Sequence, residues 1–321
     1  MEQTIEKQEV SQEPQGVEKT QKSKVQKQEE RDKVIRIISK TIIYILLTIG
    51  SLTCIFPFYW MIMSSFKTIH EYESFVPTYF PHEWTGEAYK IAFTKTATGS
   101  TGGPSLFSIT LVNSLIVGFT STFLGVALTI LAAYAFARME FKGKNLVFSI
   151  LLMTMMVPGE LFTITNYISV TGFGWRDTYI VMILPFLCSI YYIYLLRNSF
   201  KSIPESLYKA AKVDGCSDMK YLLQVMIPLS SPTIISITIL KLIATWNSYI
   251  WPELVNTPTW RLVSNWMSTA GQGGAGQRVS DGTDYPVKLA ASLIISIPLF
   301  IVFIFFRKYI MRGVSKSGIK G

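Results

Sequence analysis

Six apolar stretches organise the chain, at residues 35–66, 107–136, 146–170, 179–196, 229–251 and 287–306, separated by polar intervals. A helix needs about 20 residues to cross roughly 30 Å of hydrocarbon, so each stretch is a candidate span. The stretches are continuous in polarity rather than alternating, which selects helices over barrel strands, because unpaired backbone groups in lipid cost several kcal/mol each. The pattern predicts an all-α, polytopic membrane protein with six transmembrane helices.

Residues 1–33 are a different material, rich in Gln, Glu and Lys, with no aromatic residue before Tyr44. Such a segment buries too little apolar surface to offset its ordering entropy, and is predicted to be a disordered tail ahead of a transmembrane domain over 34–321. Its charges are numerous and mixed in sign, and the apolar run behind it is over twice the usual length of a signal peptide's apolar core. The first helix is therefore expected to stay attached.

Composition agrees with the bilayer as solvent: 49% of the 321 residues are hydrophobic and 16% charged. The formal net charge of +9 is distributed unevenly. With the N-terminus inside, intervals 138–144, 197–220 and 307–320 hold thirteen Lys and Arg, against seven at 67–95, 176 and 261–288. That asymmetry predicts cytoplasmic termini, a cytoplasmic loop at 197–228, and extracytoplasmic loops at 67–105 and 252–286. It also accounts for the basic charge without nucleic acid.

Several chemistries find no support. Cys54, Cys188 and Cys216 are scattered, and His70 and His82 share one loop at no zinc-binding spacing. No phosphate-cradling Gly-x-x-x-x-Gly-Lys-Ser/Thr occurs, and the Gly-rich run at 271–276 neither follows a strand nor opens a helix. Neither catalytic residues nor a metal site nor a cofactor is expected. An ion-coupled secondary transporter would need intramembrane carboxylates, and essentially only Glu160 lies in a predicted span.

The loop at 197–228 is the best-punctuated part of the chain. Ser202-Ile203-Pro204-Glu205 reads as a capping box opening a helix to Val213, and Asp214-Gly215 as its left-handed stop. Ser217 can cap a second short helix that carries Met219, Leu222, Leu223 and Met226 on one side until Pro228 ends it.

Ala210-Ala211, Gly215 and Pro228 stand at the spacing of a known element, and further motifs keep its company. These are Asn113-Ser114-Leu115, the run Ala132 to Arg138 with Gly143, Met155-Met156-Val157-Pro158, Leu184-Pro185, Trp246-Asn247 and the closing Gly318-Ile319-Lys320-Gly321. Together they resemble the type I ABC importer permeases of the carbohydrate branch, and within it the smaller membrane subunit of maltose-type transporters. The resemblance implies the type I importer permease fold in a bacterial or archaeal plasma membrane. It also implies a second permease subunit as heterodimer partner, an extracytoplasmic solute-binding protein, and two copies of a cytoplasmic ABC ATPase that bind the ATP. The cargo implied is a sugar or oligosaccharide, with an acidic one as the alternative.

In that family the loop docks on the ATPase, which implies coupling roles for Glu205, Lys209, Ala210, Ala211, Asp214, Gly215 and Pro228. The family usually has Glu where this chain has Lys209. Glu205, four residues earlier on the same helical face, is the candidate replacement, and the other reading of Lys209 is a solvated surface lysine. Cys216 likewise stands for the usual Ala.

Lys241 lies midway along a predicted span, where a charge costs about 2.5–3.5 kcal/mol on insertion scales. It is read either as neutralising an anionic substrate group or as pairing with backbone carbonyls or a partner carboxylate. Asn166-Tyr167 and Trp246-Asn247 offer aromatic faces and amides suited to sugar and complete the candidate substrate pathway. Pro57, Pro158, Pro185 and Pro298 mark bends lining a cavity or ordinary kinks. Trp84, Trp260 and Trp266 are read as anchors for the solute-binding protein or as packing on helix ends.

Overall fold

A computed structural model describes residues 15–94, 104–270 and 284–315, with side-chain surroundings for 31, 33–94, 104–270 and 285–309. The Gly-rich run at 271–276 and the closing Gly318 to Gly321 lie outside the described residues. Contacts divide the chain into two units, Met1–Trp60 and Met61–Gly321.

The first unit is helix α1 (Gln15–Ser65), which runs on into the start of the second. Its polar part begins at Gln15: Gln, Glu and Lys bury little but are good helix formers, and they extend the apolar helix behind them. Within its apolar part the hydroxyls of Thr41, Thr48, Ser51 and Thr53 each donate to the carbonyl four residues back. No polar hydrogen is left facing lipid at those positions. Pro57 sits inside the continuous helix.

In the second unit, α2 (Ile69–Tyr72) and α3 (Glu87–Thr94) precede the long α4 (Leu106–Arg138). Then come α5 (Lys144–Thr154), a 3-10 turn at Gly159–Phe162 leading into α6 (Thr163–Gly172), α7 (Tyr179–Ile183) with a 3-10 turn at Leu184–Phe186, and α8 (Ile190–Lys201). The loop segment holds α9 (Glu205–Val213), α10 (Asp218–Tyr221), a π turn at Leu222–Met226 and α11 (Ile227–Leu229). After it follow α12 (Ser231–Trp246), α13 (Ile250–Val255), α14 (Val263–Ala270) and α15 (Asp284–Ser315).

Three of the six apolar stretches are single helices, Lys33–Ser65, Leu106–Arg138 and Tyr285–Tyr309. The other three are broken pairs, bent by 85° between Lys144–Thr154 and Gly159–Gly172, by 46° between Tyr179–Phe186 and Ile190–Lys201, and by 80° between Asp218–Leu229 and Ser231–Trp246. Pro158 and Pro185 fall at breaks, as a missing N–H and a steric clash require, whereas Pro298 stays inside α15.

Helix α4 is the post of this unit, with α8 and α12 packed against it and α15 packed on α12. Its buried positions include Ser114, Gly118, Ser121, Gly125, Thr129 and Ala133, a stripe of small residues at helical spacing. Lipid offers no hydrophobic drive between helices, so close backbone approach along such a stripe supplies the attraction. A neighbouring side of α4 shows Leu115, Phe119 and Phe123 outward.

Candidate functional site

The loop at 197–228 folds as two helices hinged on one glycine. Gly215 has φ +69°. Its N–H reaches the Lys212 carbonyl at 3.1 Å while the Cys216 N–H reaches the Ala211 carbonyl at 2.9 Å. This is the paired closure of a Schellman motif, with Asp214 as C-cap and the last carbonyls of α9 satisfied. Ser217 caps α10 through the Lys220 N–H, as read from sequence. The capping box is not formed: the Ser202 hydroxyl donates to the Ser199 carbonyl at the end of α8, and Pro204 stands as N-cap of α9 without a side-chain bond. Ser202 is already used in closing the preceding helix, whose last carbonyls need donors.

One carboxylate ties the elbow to the membrane helices. Asp218 Oδ1 meets the Lys212 ammonium at 2.9 Å and accepts from the hydroxyls of Tyr208 at 2.9 Å and Tyr134 at 3.1 Å. Residues from α9, α10 and α4 therefore converge on a single oxygen. The hydrogen bond to Asp218 raises the Lys212 pKa above its ordinary value. Beneath it, Ala133, Tyr134, Phe200, Ile203, Tyr221, Leu222 and Met226 form one buried cluster, against which Ala211, Cys216, Val225 and Ile227 also pack. The π turn divides the side chains expected to share one face: Leu222 and Met226 are buried, whereas Met219 and Leu223 are exposed. Arg138 adds a second clasp, donating to the carbonyls of Phe200 at 3.1 Å and Ile203 at 2.6 Å.

The outward side of the elbow touches nothing else among the described residues of this chain. Leu207, Val213 and Met219 are exposed, Val213 by 88%, beside exposed Ala210. Lys209 pairs with Glu205 at 3.1 Å across one helical turn, both in solvent. Such a pair is worth about 0.3–0.5 kcal/mol. Pro228 lies in α11, just before the 80° bend into α12. Sequence reading overlooked Asp218, Lys212, Tyr208 and Tyr134; the available signal was Tyr134, a lone hydroxyl within the small-residue run from Ala132 to Ala137.

Lys241 is 5% exposed and donates to the carbonyls of Phe186 at 2.8 Å and Leu187 at 3.3 Å. These belong to the break between α7 and α8, so the ammonium caps backbone that the bend has freed. It borders a cavity of about 430 Å³ that is also lined by Ser121, Ser189, Tyr192, Thr245, Ser248 and Trp251. The other proposed pathway residues are elsewhere. Trp246 donates to the Ile295 carbonyl on α15, Tyr167 packs on the cluster around Val170 and Trp251, and Asn166 and Asn247 are exposed outside the cavity lining.

The far end of α4 holds the segment 256–263. Asn113 donates to the carbonyls of Thr259 at 2.9 Å and Arg261 at 3.1 Å and accepts from the Tyr179 hydroxyl at 2.9 Å. Ser114 accepts from the Val263 N–H at 2.7 Å. Of the tryptophans, Trp84 is exposed and lies beside Phe66, Trp260 packs edge-on against Tyr179, and Trp266 is buried against Phe107. Burial excludes Trp266 as an exposed anchor. In the loop after α1, Glu71 accepts from the Thr78 hydroxyl at 2.6 Å and from the His82 N–H at 3.0 Å.

The chain is 30% identical over 219 residues to the arabinooligosaccharides transport system permease protein AraQ of Bacillus subtilis (strain 168), covering 68% of this chain and 76% of that protein. It is 29% identical over 280 residues to the diacetylchitobiose uptake system permease protein NgcG of Streptomyces coelicolor, covering 85% and 86%. Its fold is similar to a chain in the crystal structure of a bacterial ABC transporter that imports the acidic polysaccharide alginate, with TM-score 0.72 and 21% identity over 85% of this chain and 96% of that one. Residues 125–316, from the middle of α4 through the elbow to the last helix, match the family described as binding-protein-dependent transport system inner membrane component, and the chain belongs to that family.

Proposed function

We propose that the chain is the membrane-spanning permease subunit of an ATP-driven importer of sugars or oligosaccharides, and that the elbow at 205–228 receives the force. The observation that carries this reading is the two-sided construction of the elbow. Its inner side is bound through Asp218 and the buried cluster to α4, α8 and α12, while its outer side presents uncovered apolar residues. A push on such an element moves packed helices as rigid bodies, and packed helices switch between discrete arrangements. ATP is bound and hydrolysed by two copies of a cytoplasmic ATPase docked there. A second permease completes the pore, and a solute-binding protein delivers cargo to the outer loops, with both termini and the elbow on the cytoplasmic side.

The test is reconstitution with partner subunits carrying Gly215→Val, which strains the left-handed turn, beside Gly215→Asn, which tolerates it. Uptake per ATP hydrolysed falls in the first and is largely kept in the second. Full ATP-driven accumulation after deletion of the elbow overturns the reading.

An acidic cargo is a second reading, favoured by the position of Lys241 as the only charged side chain lining a cavity whose other polar groups include the hydroxyls of Ser121, Ser189, Tyr192, Thr245 and Ser248. Calorimetry of the associated solute-binding protein with neutral and uronic-acid oligosaccharides separates the two, and binding of neutral sugars alone removes the acidic one.

A further inference from the structure

At the same end of α4 as the elbow, the turn into α5 and the last residue of α8 enclose an open cleft of about 510 Å³, with Lys144, Asn145, Lys201 and Glu140 in its lining. The cleft is unbalanced in charge. Arg138 and Arg197 stand beside it, and the contacts of both guanidiniums are neutral. Arg138 donates to the Phe200 and Ile203 carbonyls, while Arg197 donates to the Phe136 carbonyl at 3.1 Å and lies 3.9 Å over the Phe148 ring. The Lys144 ammonium also has a neutral partner, the Met139 carbonyl at 2.8 Å. Lys144 is within electrostatic reach of Arg197 and Arg138 and of one carboxylate, Glu140, and Lys201 is within reach of Arg197 and Lys144. Glu140 is the only carboxylate in the lining, and it forms no ion pair with these cations among the described residues.

Two further features point to what would balance these charges. Helix α5 opens on Gly143 at φ +81° with no side-chain cap; the Lys144 N–H is taken by the Phe141 carbonyl at 3.3 Å, which leaves the Asn145 and Leu146 amides and the positive end of the dipole at the cleft without a side-chain partner. Leading away from the cleft, α5 exposes Leu146, Ile150 and Met153, three apolar residues on one side of the helix. A soluble anion would use only the first feature. An amphiphile with an anionic head uses both, and basic pockets between spans beside the membrane surface suit that chemistry.

We propose that this cleft is a binding site for an anionic phospholipid, its phosphodiester held by Lys144, Lys201 and the α5 N-terminus, and an acyl chain lying along Leu146, Ile150 and Met153. The proposal rests on α4 and α5 being membrane helices and is independent of the transported solute.

The test uses the purified, full transporter complex. Native mass spectrometry after exchange into phosphatidylglycerol, and separately into phosphatidylcholine, counts the retained lipid. The wild type is expected to keep phosphatidylglycerol in preference to phosphatidylcholine, with apparent affinity falling roughly fivefold for each lysine neutralised in Lys144→Gln and Lys201→Gln. Lys201→Gln alone alters an exposed side chain, so it reports on the site even where the double variant fails to assemble. Titration with inorganic phosphate at millimolar concentration is expected to displace no lipid. Equal retention of the two lipids, unchanged retention in Lys201→Gln, or phosphate protecting the complex as well as the lipid does would each overturn the proposal.

Discussion

Gly125 and Lys241 share one volume at the centre of the packed helices: a β-carbon placed on Gly125 would stand 2.3 Å from Lys241 Cε and 2.5 Å from its Nζ. The absent side chain on α4 is what allows the lysine of α12 to reach the carbonyls of Phe186 and Leu187. Gly125→Ala is expected to cost about 1–3 kcal/mol by overpacking. A lower melting temperature of the complex in detergent, partly restored by adding Lys241→Ala, is the measured outcome. Restoration stays partial because the Leu187 carbonyl also lies 2.7 Å from that β-carbon.

Asp218 is expected to matter more for coupling than for folding. Asp218→Asn keeps the shape but weakens charge-assisted bonds from Tyr208 and Tyr134, each worth about 1.5–3 kcal/mol when well shielded. Its half-exposed pair with Lys212 adds at most about 1 kcal/mol. The variant should insert normally and hydrolyse ATP with its partners, yet transport less solute per ATP. A ratio equal to wild type would show that the elbow moves its helices without this clasp.

At the end of α4 away from the elbow, Asn113→Ala leaves the Thr259 and Arg261 carbonyls and the Tyr179 hydroxyl without their partner, a loss of about 1–3 kcal/mol. Hydrogen exchange should accelerate across 256–266 while the elbow at 205–228 stays protected. Uniform acceleration over both would mean that α4 itself had loosened.

The loop around Glu71 should also respond to acid. Burial pushes the Glu71 carboxyl upward, but the bonds from the Thr78 hydroxyl and the His82 amide outweigh it and hold its pKa below the ordinary 4.5. A depressed carboxylate stabilises the loop above its unfolded value and loses that contribution as pH falls through the lower folded one. Protection of the His82 amide, measured against its intrinsic exchange rate at each pH, should therefore fall below about pH 4.5. Glu71→Gln should already exchange fast at neutral pH and show no such acid step.

What could be read from the chain alone was what is local. The six apolar runs are visible because a span is contiguous in sequence. The Gly215 stop is equally local, since the residues that close α9 are neighbours of the glycine that allows it. The capping box failed because the Ser202 hydroxyl had a competing acceptor on the preceding helix, which spacing does not reveal. The partners of Lys241 were illegible for a related reason: the Phe186 and Leu187 carbonyls are free only because the chain breaks after Pro185, 56 positions earlier in sequence than Lys241. Trp246 and Asn247 were assigned a shared role by adjacency, yet neighbours on a helix point about 100° apart, and Trp246 turned toward α15.

The exposed side of α9 has a consequence for inheritance. Because Leu207, Ala210, Val213 and the Glu205–Lys209 pair are exposed, they can change at small cost to this chain's own fold. Under the proposed function, a handful of side chains here would decide which motor a given importer accepts, while the hinge beneath stays the same.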